Sequence, residues 1–353
     1  MKSLRQWGYV LSAVTILILF GSCAWLTSPR TITNIHDGKY DSEYPTTPVA
    51  PALNQILPTV HFLNSVAYYR GYEIPLSRRF TRKTVTVQEL KRIASYERFF
   101  NKTASGTATV IYSQKRHLAL LTCNHVINFP DTIYTYYTDE NGFSLPYLQS
   151  IAIKQRQENY IPDLLYANKL EVLAADPQLD IAILGQELPR EPLRPIPVFN
   201  FPLGRASELD WGVVLYLIGF PKGFKMVTSG IVSSPNRDKN YGFLVDAPFN
   251  KGFSGGIALA LRDGPPHFEL VGMVNAVSAD RITYLAPVEG LLQRGFKVGG
   301  EYDGPPVVKE ENRINYGVTF VIAIEKIQEL LEKKRDYLES KGYKFDFFYM
   351  NPQ

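Results

Sequence analysis

The sequence predicts an all-β fold for the larger part of the chain, and three segments carry that expectation. The run Leu118-Ala119-Leu120-Leu121-Thr122-Cys123-Asn124-His125-Val126 is an apolar strand that ends in a histidine. Asp180-Ile181-Ala182-Ile183-Leu184 is a short apolar strand opened by an aspartate. The loop Asn250-Lys251-Gly252-Phe253-Ser254-Gly255-Gly256 is followed by two apolar runs, Ile257–Leu261 and Phe268–Val274, around a Gly-Pro turn. Apolar runs of this length bounded by turn residues read as buried strands.

The serine loop carries the most chemistry. Glycines without a β-carbon permit a tight turn whose backbone N–H groups converge on one point. Such a point can hold an oxyanion that develops when a serine attacks a carbonyl. The pattern Gly-x-Ser-x-Gly is also a nucleophile elbow, but an elbow leads into a helix and precedes its acid and histidine. Here strands follow, and His267 falls in a polar turn directly behind the serine. The order His125, Asp180, Ser254 instead matches a base, an orienting acid and a nucleophile in the order His, Asp, Ser. Asp176 rivals Asp180, but Asp176-Pro177 is a turn signal and the strand starts directly after Asp180.

With these residues the chain resembles the trypsin-like serine proteases, and within them the bacterial HtrA/Deg branch. The resemblance runs over about residues 100 to 335. Ser105–Ile111 resembles the Gly-rich first strand, and Ile218-Gly219-Phe220-Pro221 with Val227–Ser233 resembles a segment distinctive for the branch. Val271–Asn275 resembles the substrate-pairing strand, and Tyr316–Ile322 the final strand. The resemblance implies two packed six-stranded antiparallel β-barrels with the active cleft between them. It implies Ser254 as nucleophile, His125 as general base, Asp180 as orienting acid, and the N–H groups of Gly252 and Ser254 as the oxyanion hole. Val274, Asn275 and Ala276 would bind substrate. A polypeptide substrate, no cofactor and a possible homo-oligomer follow from the same likeness. HtrA relatives usually carry a PDZ domain after the protease, and with about a dozen residues after the last helix none is expected here.

Three departures define the rival expectation, a catalytically impaired relative that binds peptides. Phe253 stands where Asn or Asp is usual, Ile257 follows Gly256 where Pro is common, and Lys251 precedes the first glycine of the loop. Phe253 cannot bind a freed N-terminus, so activation by that route is not expected.

Around the protease segment, residues 100–340, the chain is expected to divide into a signal peptide or anchor at 1–26, a spacer and N-terminal extension at 27–99, and a tail at 341–353. Thr86-Val87-Gln88-Glu89 is a capping box opening a helix through about Ser95. Ile324, Ile327, Leu330, Leu331 and Leu338 repeat at helical spacing and predict a C-terminal helix ending before Gly342. The tyrosines of the segment between His125 and Asp180 predict an elaborated hairpin. Cys123 is expected to be a buried structural thiol. The net charge of +4 on 353 residues gives no reason to expect nucleic acid.

The N-terminus has a basic start, an apolar run from Tyr9 to Phe20, and Gly21-Ser22-Cys23. This is the layout of a signal peptide whose cysteine is lipidated in the bacterial envelope; Gly8 to Leu26 is also long enough for an uncleaved anchor. The lipoprotein reading is favoured. Plain secretion is the third alternative, and all three export the catalytic part. Mass spectrometry of the mature N-terminus is expected to find either acylated Cys23 or an intact leader. Loss of membrane association in Cys23→Ala selects the lipoprotein form, and a soluble chain beginning well after Cys23 would refute both anchored forms.

Overall fold

The computed structural model describes residues 36–83, 86–139, 143–164, 167–235, 242–248, 250–287 and 306–349. Cys23 and the apolar leader lie outside them. Everything below concerns the unit Gly38–Gln353. Among the described residues no helix is long and apolar enough to cross a membrane.

Thirteen strands are described in two sheets. The first half contains β1 (Val60–Glu73), β2 (Tyr96–Gln114), β3 (His117–Cys123), β4 (Thr132–Thr138), β5 (Ser144–Tyr160), β6 (Glu171–Asp176) and β7 (Ile181–Glu187). Their order is β4-β5-β1-β2-β3-β7-β6. The second half contains β8 (Val214–Gly219), β9 (Met226–Ser234), β10 (Phe243–Asp246), β11 (Ile257–Leu261), β12 (Phe268–Pro287) and β13 (Pro306–Ala323), closed into a barrel in the order β10-β13-β12-β11-β8-β9. The all-β, two-sheet architecture matches the expectation, with one refinement. The first half is a curled seven-strand sheet, because β1 inserts between β2 and β5. That strand comes from the stretch read as an extension. Its alternation of buried and half-buried positions was hidden by a run of tyrosines, which fit either a strand or a loop.

Alternation explains why several strands are apolar throughout. In β11, Ile257, Leu259 and Leu261 face the core shared with the first sheet, while Ala258 and Ala260 face the interior of the barrel. The same division applies to β8: Val214, Tyr216 and Ile218 go to the shared core, Leu215 and Leu217 to the barrel. Successive side chains point to opposite faces, so a strand covered on both sides reads as a continuous apolar run.

Helix α1 (Ala50–Ile56) precedes β1. Helix α2 (Val87–Ile93) opens on the expected capping box, with the Thr86 N–H donating to Glu89 Oε2 at 3.1 Å. A single turn, α3 (Asn124–Ile127), follows β3. The C-terminal helix is broken in two, α4 (Ile324–Lys333) and α5 (Arg335–Ser340), where Lys334 leaves helical geometry. The following segment packs into the first half: Tyr343 and Phe345 lie against Tyr112, and Tyr343 meets the His117 ring edge-on. The hairpin between His125 and Asp180 forms as β4 and β5. Tyr134 and Tyr136 join a small core with Ile74, Leu90 and Leu148, and the Tyr137 hydroxyl donates to the Ile74 carbonyl.

The segment at 38–41 is fastened to the second barrel by charge. Arg262 pairs with Glu269 at 3.0 Å and with Glu208 at 2.7 Å, and its guanidinium lies over the Tyr40 ring. The hydrogen bond from Arg262 is the main cause that holds the Glu208 carboxyl below its ordinary value. A depressed carboxylate contributes stability that is present above its unfolded value, about pH 4.3, and is lost as pH falls through the folded value. Glu208 is well exposed, so the contribution is small. Thermal melts between pH 3 and 6 are expected to show a falling midpoint below about pH 4.3, with a shallower fall in Arg262→Met. An equal slope in both proteins would remove this clasp from the account.

Candidate active site

The aspartate is oriented by an unusual backbone. Asp180 has φ 58°, in the left-handed region that Asp tolerates better than most residues. This turns both carboxylate oxygens onto the end of β3. Oδ1 accepts the backbone N–H of His125 at 2.7 Å, and Oδ2 lies 2.5 Å from His125 Nδ1. The Asp180 carbonyl accepts the Asn124 N–H at 3.1 Å. The turn carrying His125 is therefore wrapped around one aspartate by three bonds. A proton on Nδ1 facing a carboxylate leaves Nε2 as the bare, basic nitrogen. Asp176 instead accepts the N–H groups of Gln178 and Leu179 at 2.9 and 3.0 Å, which makes it a turn residue.

The serine loop is held from the same side. Thr107, on β2, donates its N–H to the Ser254 carbonyl at 2.8 Å. A β-carbon on Gly255 would sit 2.1 Å from the Thr107 carbonyl and 3.2 Å from the Cys123 nitrogen, and Gly255 has φ +87°. Only glycine lets the loop approach the strand end that carries the histidine. Gly255 N–H donates to Val274 O at 2.8 Å, and Val274 N–H donates to Gly256 O at 2.7 Å. His125 is exposed toward the cleft and Ser254 is nearly buried. Among the described residues the Ser254 hydroxyl makes no hydrogen bond, so the structure brings His125 to Asp180 and the serine loop to β2 and β3 without a direct Ser254–His125 bond. Hydrogen bonds of this kind are often open in free enzymes and close on substrate.

Among the described residues two N–H groups of the loop have no acceptor. The Lys251 carbonyl accepts the Lys222 N–H at 2.9 Å, and a trans peptide then turns the Gly252 N–H the opposite way. Neither the Gly252 nor the Ser254 N–H donates to an acceptor among the described residues. Gly252 has φ +105° and is buried.

Phe253 is a buried member of this loop. Its ring is buried in the barrel interior beside Ala247 and Ala258. Room is made by Gly219, where a β-carbon would lie 2.7 Å from the ring. The residue that differs from the expected pattern is an apolar anchor for the loop, and Lys251 is exposed to solvent. Phe253→Ala is expected to cost about 3–5 kcal/mol in denaturant unfolding. A loss below about 1 kcal/mol would mean that the ring carries little of the packing.

The three residues read as substrate-binding differ in their freedom. Val274 is buried; its N–H and carbonyl are both engaged by the serine loop, and the Cys123 thiol also points at that carbonyl at 3.3 Å. Val274 is a brace. Asn275 is half-buried and lines a cavity of about 460 Å³ with Gln178, Leu179 and Phe243. Ala276 continues β12, and its side chain lies outside the described residues.

Cys123 is fully buried, and burial first, then the nearby Asp180 carboxylate, pushes its thiol up. It is no nucleophile at neutral pH. The donor atoms of Cys123, His125 and Asp180 lie within 4.8 Å of one another. A tetrahedral zinc ion would hold its N and O ligands about 3.4 Å apart. The 2.5 Å between Nδ1 and Oδ2 is a hydrogen bond.

The fold is a closed barrel against a curled sheet, with a carboxylate-oriented histidine on the sheet and a glycine-flanked serine on the barrel. Residues 106–273, just under half of the chain, match the family model of the trypsin-like peptidase domain, and this match supports a serine endopeptidase. No curated protein matches the sequence. Among solved structures, the HtrA-type protease AlgW with a decapeptide aligns at 18% identity, over 82% of this chain and 67% of that one, with a TM-score of 0.43. The serine endoprotease from Yersinia pestis aligns at 18%, over 82% and 67%, with a TM-score of 0.39. Deg5 aligns at 18%, over 64% and 83%, with a TM-score of 0.35.

Proposed function

We propose that the chain is an exported, membrane-tethered endopeptidase that cleaves polypeptides through Ser254, His125 and Asp180. The observation that carries the reading is the orientation of His125 by Asp180, with Nε2 left free to take a proton. In this reading Ser254 attacks the scissile carbonyl while His125 accepts its proton. The same imidazolium then returns the proton to the leaving amine, and water hydrolyses the acyl-enzyme by the reverse sequence. The free N–H groups of Gly252 and Ser254 receive the oxyanion, at about 2.7–4 kcal/mol per donor. Tethering rests on the basic, apolar and Gly-Ser-Cys sequence of the leader alone. The buried Phe253 favours the active enzyme over the impaired relative, because its ring supports the loop from inside the barrel.

A fluorophosphonate probe is expected to label Ser254 near neutral pH. Labelling disappears in Ser254→Ala and falls nearly as far in His125→Ala, with a smaller loss in Asp180→Ala. A folded wild-type protein that stays unlabelled from neutral to mildly alkaline pH would replace this reading with the peptide-binding relative. Pro248, Asn275 and Ala276 offer no charge to a substrate side chain. Peptide-library cleavage is accordingly expected after small or medium aliphatic residues, and a profile dominated by Lys or Arg would contradict the pocket assignment.

A further inference from the structure

Gly252 poses a problem that its own sequence cannot solve. A glycine has little preference between the two orientations of either flanking peptide. The oxyanion donor on Gly252 requires the Lys251–Gly252 peptide to stay in one orientation, and the Gly252–Phe253 peptide, whose N–H donates to Asn250 O at 3.1 Å, sets the path of the loop on to Ser254. The two carbonyls that report these orientations are each held from outside the loop. Lys251 O is held by the Lys222 N–H. Gly252 O is held by the Thr107 hydroxyl at 2.8 Å.

Thr107 is fully buried and uses every polar group it has. Its Oγ1 donates to Gly252 O and accepts the Phe220 N–H at 2.9 Å. Its N–H donates to Ser254 O, and its carbonyl accepts the Thr122 hydroxyl at 2.8 Å. Phe220 in turn begins the turn that supplies Lys222, and a β-carbon on Gly252 would sit 2.4 Å from Phe220 O. One hydroxyl therefore joins the serine loop, β2 and the 220–223 turn at a single buried point. The nearby Thr109 has a buried hydroxyl with no partner among the described residues, so burial of a threonine on this strand does not by itself produce such a junction.

We propose that Thr107 is a positioning residue for the oxyanion hole: its hydroxyl locks the Gly252–Phe253 peptide and, through Phe220, the turn that locks Lys251–Gly252. It touches neither substrate nor reacting atoms. The assignment rests on the peptidase reading above.

The test is fluorophosphonate inactivation of the full chain, resolved into the maximal rate of labelling and the concentration for half-maximal rate. Thr107→Val keeps the shape and deletes the hydroxyl; Thr107→Ser keeps the hydroxyl. The Val variant is expected to lose at least about tenfold in maximal rate with the half-saturating concentration unchanged. Ser is expected to recover most of the loss. Amide exchange over 250–256 is expected to quicken in Val and stay near wild type in Ser, while protection of β11 and β12 is kept. If Val does not fold, Thr107→Ala replaces it with the same expectations. Labelling of the hydroxyl-free variant at the wild-type rate overturns the assignment, as does a Ser variant as slow as Val. A wild-type chain that does not label removes the peptidase reading and this assignment with it; a labelled wild type with unaffected variants removes only the assignment.

Discussion

The contact between the serine loop and the β2–β3 edge is the constraint on which the site depends. In the proposed reading the two halves of the protein bring complementary parts of one chemical apparatus to this contact. The loop reaches the first sheet because Gly255 has no β-carbon to strike the Thr107 carbonyl. It stays there because Thr107 N–H donates to the Ser254 carbonyl and because Val274 accepts the Gly255 N–H and donates its own N–H to the Gly256 carbonyl. Since Cys123 lies beside both Gly255 and the His–Asp pair, this one approach also sets where the histidine stands.

Apolar and polar forces divide the work. The ring of Phe253 and the shared core of Ile218, Ile257 and Leu259 press the loop and strands together without specifying direction. Direction comes from hydrogen bonds made by groups that are buried and hence costly to leave unpaired. Asp180 illustrates the pairing of the two. Its left-handed backbone is tolerated because three bonds to the Asn124–His125 turn hold it. Among the described residues the N–H groups of Gly252 and Ser254 are left without an acceptor while the carbonyls beside them are held.

Much of this was legible in the chain as a linear pattern. A histidine ending an apolar strand, an aspartate opening another, and a serine among glycines are local features, and local steric rules govern them. The capping box at Thr86–Glu89 and the spacing of the C-terminal helix belong to the same class. Strand β1 was not legible in that way. It depends on pairing with β2 and β5, which are distant in sequence, and its tyrosines do not alternate with polar residues cleanly enough to announce a strand. The break at Lys334 was equally silent, because Lys is an ordinary helix residue.

Phe253 marks the boundary between the two kinds of information. Read linearly, it is a bulky residue in a place that favours a polar one. Its meaning changes once Gly219, thirty-odd positions earlier, is brought beneath it by the closure of the barrel. Thr107 is similar: in the sequence it is one residue of a Gly-rich strand, and only in the folded chain does its hydroxyl reach Gly252. The sequence by itself determined the chemical inventory and its order, His125, Asp180 and Ser254 on β-rich segments, because short-range sterics and hydrophobic periodicity suffice for that. Tertiary structure alone decided which peptide carbonyls are held and which N–H groups remain free, because those depend on partners supplied by strands that meet only when the two halves close on each other.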